Sequence, residues 1–154
     1  MHKAIITLFA LIAVLTFTAC DKAMVYSHYE HVPYEGWNKN EPLQFSIDTL
    51  KASDTYAMTL GIRMTGEYPF RNLHMVVEQT VFPSMTVLVD KIKCTTVDKQ
   101  GNMLGHGVST YEYNIPLRKH AYNQGDSIHV KIRHDMKRET LPGIIDVGLT
   151  LRHD

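Results

Sequence analysis

"YAMTLGIRM", residues 56–64, decides the fold class because a large apolar side chain occupies every second position. In an extended strand, successive side chains point to opposite faces, so a period of two predicts one buried and one wet face. An amphipathic helix would instead repeat its apolar residues every three or four positions. The stretch therefore predicts a β-strand that buries one face. Its apolar register comprises Tyr56, Met58, Leu60, Ile62 and Met64.

The same alternation recurs from Leu43 to the end of the chain, with Gly, Asn, Asp and Pro turn residues between the segments. No long stretch has helical periodicity; residues 118–124 and 135–140 could each form one helical turn. Strands spaced about ten residues apart predict an all-β fold, a single antiparallel β-sandwich of about 7–8 strands. The further strand segments are "LQFSIDT" (43–49), "LHMVVEQTVF" (73–82), "MTVLVDKIKCTTV" (85–97), "TYEYNIPL" (110–117), "DSIHVKIRH" (126–134) and "IIDVGLTL" (144–151).

The N-terminal segment is typical of an exported protein. Lys3 precedes an uncharged apolar run from Ala4 to Ala19, shorter than the ~20 residues that span a bilayer, which indicates a secretory signal. "FTAC" (17–20) matches a lipobox, in which the cysteine thiol forms a thioether to diacylglycerol bearing palmitate-type chains. We therefore predict cleavage after Ala19 and lipidation of Cys20; a simple secretory signal is the alternative.

Three segments follow from this interpretation: the cleaved signal peptide (1–19), the lipidated cysteine with a tether and irregular lead (20–42), and the β-sandwich domain (43–154). Pro33, Gly36 and Pro42 break regular structure in the lead, although from about Tyr26 the chain should lie along the domain. The expected location is the cell envelope, at the periplasmic face or the cell surface. The sequence does not distinguish the inner from the outer membrane.

Charge and cysteine content exclude several classes of function. The chain has 16 basic and 16 acidic residues, with no run of five like charges, so the sequence predicts neither nucleic-acid binding nor an electrostatic membrane patch. If Cys20 carries lipid, Cys94 is the remaining one of two cysteines. It shares a strand face with Leu88 and Ile92, so we expect a small buried hydrophobic residue.

No motif in the sequence carries catalytic or metal chemistry. The nine histidines form no Cys/His pairs, and His28-x-x-His31 precedes a proline, so surface or rim histidines and no metal site are expected. Nucleophile-elbow, P-loop and dinucleotide motifs are absent. Neither an enzyme nor a cofactor is predicted. A hydrolase would require facing carboxylates among the strand acids, which are expected on wet faces: Asp48, Glu78, Asp90, Glu112 and Asp146.

Aromatic side chains are the remaining candidates for binding. Exposed aromatics on a β-sandwich could stack on sugars or dock a protein, whereas core filling is the alternative. A separate observation concerns Gly148, whose place inside a strand predicts close approach of another backbone or a bulky neighbour. The candidate binding surface comprises Trp37, Tyr68, Phe70, Tyr111 and Tyr113.

Four segments, in order behind the lipobox, resemble the gliding-motility lipoprotein GldH family of the Bacteroidetes. They are "CDKAMVYSHYEHVPYEGWNK" (20–39), "YPFRNL" (68–73), "DKQGNMLGHG" (98–107) and "LPGIIDVGLTL" (141–151). The resemblance implies a lipid-anchored, non-enzymatic envelope protein that binds protein partners of the gliding or secretion machinery. A glycan-binding β-sandwich lipoprotein is the alternative, and a periplasmic hydrolase is a third hypothesis.

Overall fold

The structure, a computed structural model, describes residues 23–154; the predicted signal peptide (1–19) and Cys20 lie outside this range. These residues form β-strands and connecting turns, which confirms the all-β prediction. None of them belongs to a helix that could cross a membrane. The strands are β1 (Met24–His31), β2 (Trp37–Asn38), β3 (Leu43–Ile47), β4 (Asp54–Thr65), β5 (Asn72–Phe82), β6 (Thr86–Thr95), β7 (Thr110–Pro116), β8 (His120–Tyr122), β9 (Ser127–His134), β10 (Thr140–Leu141) and β11 (Ile144–His153).

Two antiparallel sheets form the sandwich. Sheet I has the order β1-β11-β4-β7, and β8 continues the β7 edge along β4. Sheet II has the order β3-β9-β5-β6, while β2 and β10 pair as a separate short ribbon. Because strands adjacent in space are mostly distant in sequence, the sheets depend on long-range pairing.

The core lies between the sheets and is built from the alternating positions that the sequence indicated. In β4 the predicted register, from Tyr56 to Met64, is buried throughout. In β9, Ile128, Val130 and Ile132 are fully buried while the residues between them are exposed. Period-two burial, at about 25 cal/mol per Å² of apolar surface, is therefore the main source of stability.

The two ends of the sandwich have different surroundings. At the near end lie Met24, where β1 begins, and the turns at 48–53, 83–85 and 123–126. At the far end lie the loops at 32–36, 66–71 and 135–139. Cys20 precedes Met24 by four positions in the sequence.

The lead and two connections differ from the prediction. Residues 24–31 are not irregular: they form edge strand β1, paired with β11 from Met24↔Arg152 to His31↔Asp146. These residues show little alternation of apolar and polar side chains because an edge strand buries few of them. Residues 118–124 and 135–140 were each expected to form one helical turn; instead 120–122 form a short strand that pairs with β4, and Thr140 begins a short strand that pairs with β2.

Candidate functional site

Three of the five aromatic candidates are buried, so the prediction of a binding surface is wrong for Trp37, Tyr68 and Tyr113, which are 1%, 6% and 7% exposed. The Tyr113 hydroxyl donates to the carbonyl oxygen of Thr96 at 2.7 Å. The Tyr68 hydroxyl donates to the carbonyl oxygen of Asn72 at 3.0 Å. These phenols pack on the core and place their polar ends on backbone acceptors, which is the ordinary arrangement of a buried tyrosine.

Phe70 and Tyr111 are half-buried and pack against the same core. The Phe70 ring meets the Tyr68 ring edge to face, with centroids 5.7 Å apart. A sugar-stacking platform needs exposed ring faces, and this arrangement does not provide them at the predicted positions. The loop "EYPFRN" therefore closes the far end of the core rather than presenting its rings to solvent.

His134 is a second correction, because it is fully buried rather than a rim residue. Its Nε2 lies 3.0 Å from the carbonyl oxygen of Trp37 and 3.2 Å from that of Glu139. The neutral ring with its proton on Nε2 therefore donates to both oxygens. Burial lowers the pKa of His134. The alternation of Ile128, Val130 and Ile132 continues to position 134, and this signal could have placed it.

Asp90 is the third correction: it is 8% exposed, on the inner face of β6, rather than on a wet face. Arg118 approaches one carboxylate oxygen at 3.3 Å, and the other lacks a hydrogen-bond partner among the described residues. Nearby, the Tyr122 hydroxyl donates to Oε1 of buried Gln79 at 2.6 Å. Burial raises the pKa of Tyr122 to about 12.

The histidines and carboxylates do not converge on a metal. Within residues 23–154, no three His, Cys, Asp or Glu side chains are placed so that they could hold an ion. His28 and His31 instead contact separate acids: His28 lies 3.0 Å from Glu30 and His31 lies 2.9 Å from Asp146. Cys94 is buried as predicted, and desolvation raises the pKa of its thiol to about 11.

An organised side-chain network crosses the outer face of sheet I. Gly148 and Gly61 face each other across β11 and β4, and the ring of Tyr29 covers both. A Cβ at Gly148 would lie 2.4 Å from Cε1 of Tyr29, so the predicted bulky neighbour is this ring. The Arg63 guanidinium carbon lies 4.0 Å from the ring centroid, a cation–π contact.

Glu112 completes this network from β7. It accepts from the Tyr29 hydroxyl at 2.9 Å and from Arg63 Nε at 3.2 Å. Burial acts to raise the pKa of Glu112, but the bonds from Tyr29 and Arg63 outweigh it and lower the pKa. Arg63 also lies 3.8 Å from Asp146, so the carboxylates share one cation. A general acid needs a raised pKa, whereas the pKa of Glu112 is lowered. The contacts of Tyr29, Arg63 and Glu112 tie edge strand β1 to the sheet.

The far end presents a different kind of feature, a fully exposed aromatic side chain. Tyr34, in the loop after β1, is 99% exposed. It borders a small cleft of about 140 Å³ whose apolar lining includes Val32, Pro33 and Ile144. Tyr34 was not among the predicted binding residues, although the neighbouring turn residues Pro33 and Gly36 favour a loop at this position.

The described residues form a small all-β domain without an assembled catalytic site, and similar known proteins place this domain in a family. A model of the GldH lipoprotein family matches residues 24–151. Two relatives align along nearly the whole chain. The gliding motility lipoprotein GldH homolog of Christiangramia forsetii is 24% identical, covering 98% of this chain and 97% of the relative. Gliding motility lipoprotein GldH of Flavobacterium johnsoniae is 27% identical, covering 92% of each.

These matches define the class as a lipid-anchored, all-β protein of the cell envelope. The chain belongs to the GldH lipoprotein family, which confirms the resemblance noted from its motifs.

Solved structures add nothing beyond this. The globular domain of zebrafish complement 1qA protein has 9% identity and a TM-score of 0.48, over 86% of this chain and 97% of that one. A family 35 carbohydrate binding module from Clostridium thermocellum has 11% identity and a TM-score of 0.40, over 82% and 88%. Likeness at this level supports no functional argument.

Proposed function

We propose that the mature protein begins at Cys20, is held in a membrane by acyl chains on that cysteine, and acts without catalysis by binding protein partners of the gliding or envelope machinery. Family membership and the lipobox support the anchor. One short acyl chain holds a protein only marginally, whereas two or three hold it durably. The proposed boundary between the signal peptide and the mature protein is the cleavage site after Ala19.

The exposure of Tyr34 is the observation that carries the binding role. Its ring is 99% exposed at the far end, opposite the anchor. An aromatic side chain left in water beside an apolar cleft is the type of residue that anchors protein interfaces. At the end of the domain opposite the acylated cysteine, it is available to a protein partner in the envelope.

Photo-crosslinking in living cells tests this proposal. A photoreactive phenylalanine analogue replaces Tyr34, and the matched control places it at Ser27, which is exposed on the outer face of sheet I. We expect a discrete crosslinked protein from position 34 that the Ser27 probe does not capture and that Cys20→Ala abolishes. Equal capture from both positions would remove the far end as the binding surface.

The anchor is tested separately by metabolic labelling with a clickable palmitate analogue. The unaltered chain should incorporate label, and Cys20→Ala should not. Label retained in Cys20→Ala would contradict the anchor, whatever the crosslinking result.

A further inference from the structure

The outer face of sheet II carries an uneven charge distribution. Lys91 and Lys93 of β6 point outward, as do Lys131 and Arg133 of β9, and all four side chains are exposed. Among the outward positions of β5, β6 and β9, Glu78 is the one carboxylate. The face is therefore basic, although the whole chain balances 16 basic against 16 acidic residues.

Strand register places these cations side by side. Lys91 and Arg133 both pair with Val76 of β5, from opposite sides. Neighbouring strands are about 4.8 Å apart, so the Cα atoms of Lys91 and Arg133 lie about 10 Å from each other, close to the Debye length of about 8 Å at physiological salt. Arg133 lies 3.5 Å from Asp135, and Lys131 lies directly opposite Glu78 in the β5–β9 register, whereas Lys91 and Lys93 face no carboxylate in the β5–β6 register. The four cations outnumber these two carboxylates, so the face keeps a net positive charge.

An apolar stripe continues the same face toward the near end. Met85, Val87 and Val89 occupy alternate positions and are 62%, 54% and 52% exposed. The half-buried Phe82 ring, in the outward register of β5, meets the His129 ring edge to face with centroids 5.1 Å apart. Val87 and Val89 lie on edge strand β6 and Met85 in the turn before it, so three exposed apolar side chains are close in sequence, and contiguous exposed apolar surface favours an interaction site.

The opposite face of the sandwich lacks this character. On sheet I, Arg63 is shared between Glu112 and Asp146, and the Tyr29 ring covers the glycines at the centre. Its charges are therefore largely compensated within the protein. The two faces differ in the way expected if one of them meets an anionic, partly apolar surface.

We infer that the outer face of sheet II docks on the anionic membrane in which the protein is anchored: Met85, Val87 and Val89 enter the interface while Lys91, Lys93 and Lys131 meet the headgroups. This inference rests on the proposed lipidation of Cys20. Four residues from Cys20 to Met24 reach at most about 14 Å. The sheets of a sandwich lie about 10 Å apart, and β1 is adjacent to β3 of sheet II, so the tether is long enough for this orientation.

The orientation complements the proposed partner site. A small apolar stripe and several lysines supply a second membrane contact beside the acyl chains, as lipid-anchored proteins with basic patches do. Docking by sheet II holds the sandwich flat against the bilayer and leaves the outer face of sheet I toward the aqueous side. Tyr34 then lies at the margin of the docked domain, where a partner can reach it.

The test uses the lipidated chain reconstituted into vesicles of phosphatidylcholine, with or without phosphatidylglycerol. An environment-sensitive fluorophore is attached at Val87→Cys or, as the matched control, at Ser27→Cys on sheet I. Cys94 is buried with a pKa of about 11, so the thiol reagent selects the introduced cysteine. We expect a blue shift and quenching by brominated lipid for the Val87 probe in phosphatidylglycerol vesicles, and neither for the Ser27 probe.

Charge variants then test the electrostatic part. Each cation near an anionic surface contributes a factor of about five, so Lys91→Gln with Lys131→Gln should lower the docked-to-undocked ratio about 25-fold. Lys99→Gln with Lys137→Gln, exposed in the connections after β6 and β9, removes the same charge and should have little effect.

The possible failures are distinguishable. If the chain does not float with pure phosphatidylcholine vesicles, the lipid anchor is missing and the proposed function fails. If it floats but the two probes respond alike, the docking inference is overturned while the anchor stands. If soluble dextran sulfate protects the Val87 probe better than anionic vesicles do, the face binds a polyanionic polymer and the inference is again overturned.

Discussion

Substitution of Gly148 by alanine tests the Tyr29 network and its role in holding β1. The added Cβ would lie 2.4 Å from Cε1 of Tyr29 and 2.5 Å from Cζ, so the ring must leave its place. Displacement breaks the 2.9 Å hydrogen bond to Glu112 and the 4.0 Å contact with Arg63. A hydrogen bond to a charged group contributes about 1.5–3 kcal/mol and an exposed cation–π contact about 0.5–1 kcal/mol.

Alanine itself is favoured over glycine within a strand by about 0.5–1 kcal/mol. The net expectation for Gly148→Ala is therefore a loss of about 2 kcal/mol in the free energy of unfolding. The assay is urea denaturation of the exported chain carrying Cys20→Ala, which removes lipid from the measurement.

A double-mutant cycle gives the sharp outcome. With Tyr29→Ala already present, the ring is gone, and Gly148→Ala should become stabilising by about 0.5–1 kcal/mol. The change of sign distinguishes a clash with this ring from a general intolerance of side chains at the site. An equal loss in both backgrounds would refute the reasoning, because it would place the clash elsewhere.

Three further predictions concern buried polar groups. Burial lowers the pKa of His134, so the native state disfavours the proton; its stability contribution is complete above the unfolded value of about 6.5 and is lost as pH falls. His134→Gln should reduce the change in the urea midpoint between pH 7.5 and 5 relative to the unaltered chain. An equal change in both chains would contradict this. Tyr122→Phe removes the 2.6 Å bond to Gln79 and should lower the free energy of unfolding by about 1–3 kcal/mol, whereas adding Gln79→Leu should recover most of the loss. If the double variant does not recover the free energy of unfolding, the Tyr122 hydroxyl contributes through a contact other than the bond to Gln79. Cys94, with a pKa of about 11, should resist a thiol reagent at pH 8 until urea unfolds the chain, and rapid native labelling would place it at the surface.

Predictions from the sequence succeeded where a local pattern has a direct physical consequence. Alternation from Tyr56 to Met64 identified a half-buried strand, because backbone geometry alone sends successive side chains to opposite faces. Cys94 followed from the same rule. Gly148 was correctly expected to meet a bulky neighbour, but the identity of that neighbour required the pairing of β1 with β11.

The failures share a cause. The hydroxyls of Tyr68 and Tyr113 donate to backbone carbonyl oxygens, of Asn72 and Thr96, and Trp37 is buried with its Nε1 unpartnered among the described residues, so residue type did not reveal their burial. Asp90 is similar: it lies on the inner face of β6, and its ion-pair partner Arg118 comes from a connection distant in sequence. Side-chain burial of a polar or aromatic residue depends on partners that the local pattern does not contain.

By itself, the sequence determined the fold class and the family and predicted an export signal with a lipobox, since these depend on short-range patterns and ordered motifs. Tertiary structure alone decided which surfaces exist. Lys91 and Lys93 are separated from Lys131 by many residues, and neither segment contains a run of like charge. Only the non-local pairing of β5 with both β6 and β9 brings them onto one face, because the hydrogen-bond register between strands, not sequence distance, sets which charges are neighbours.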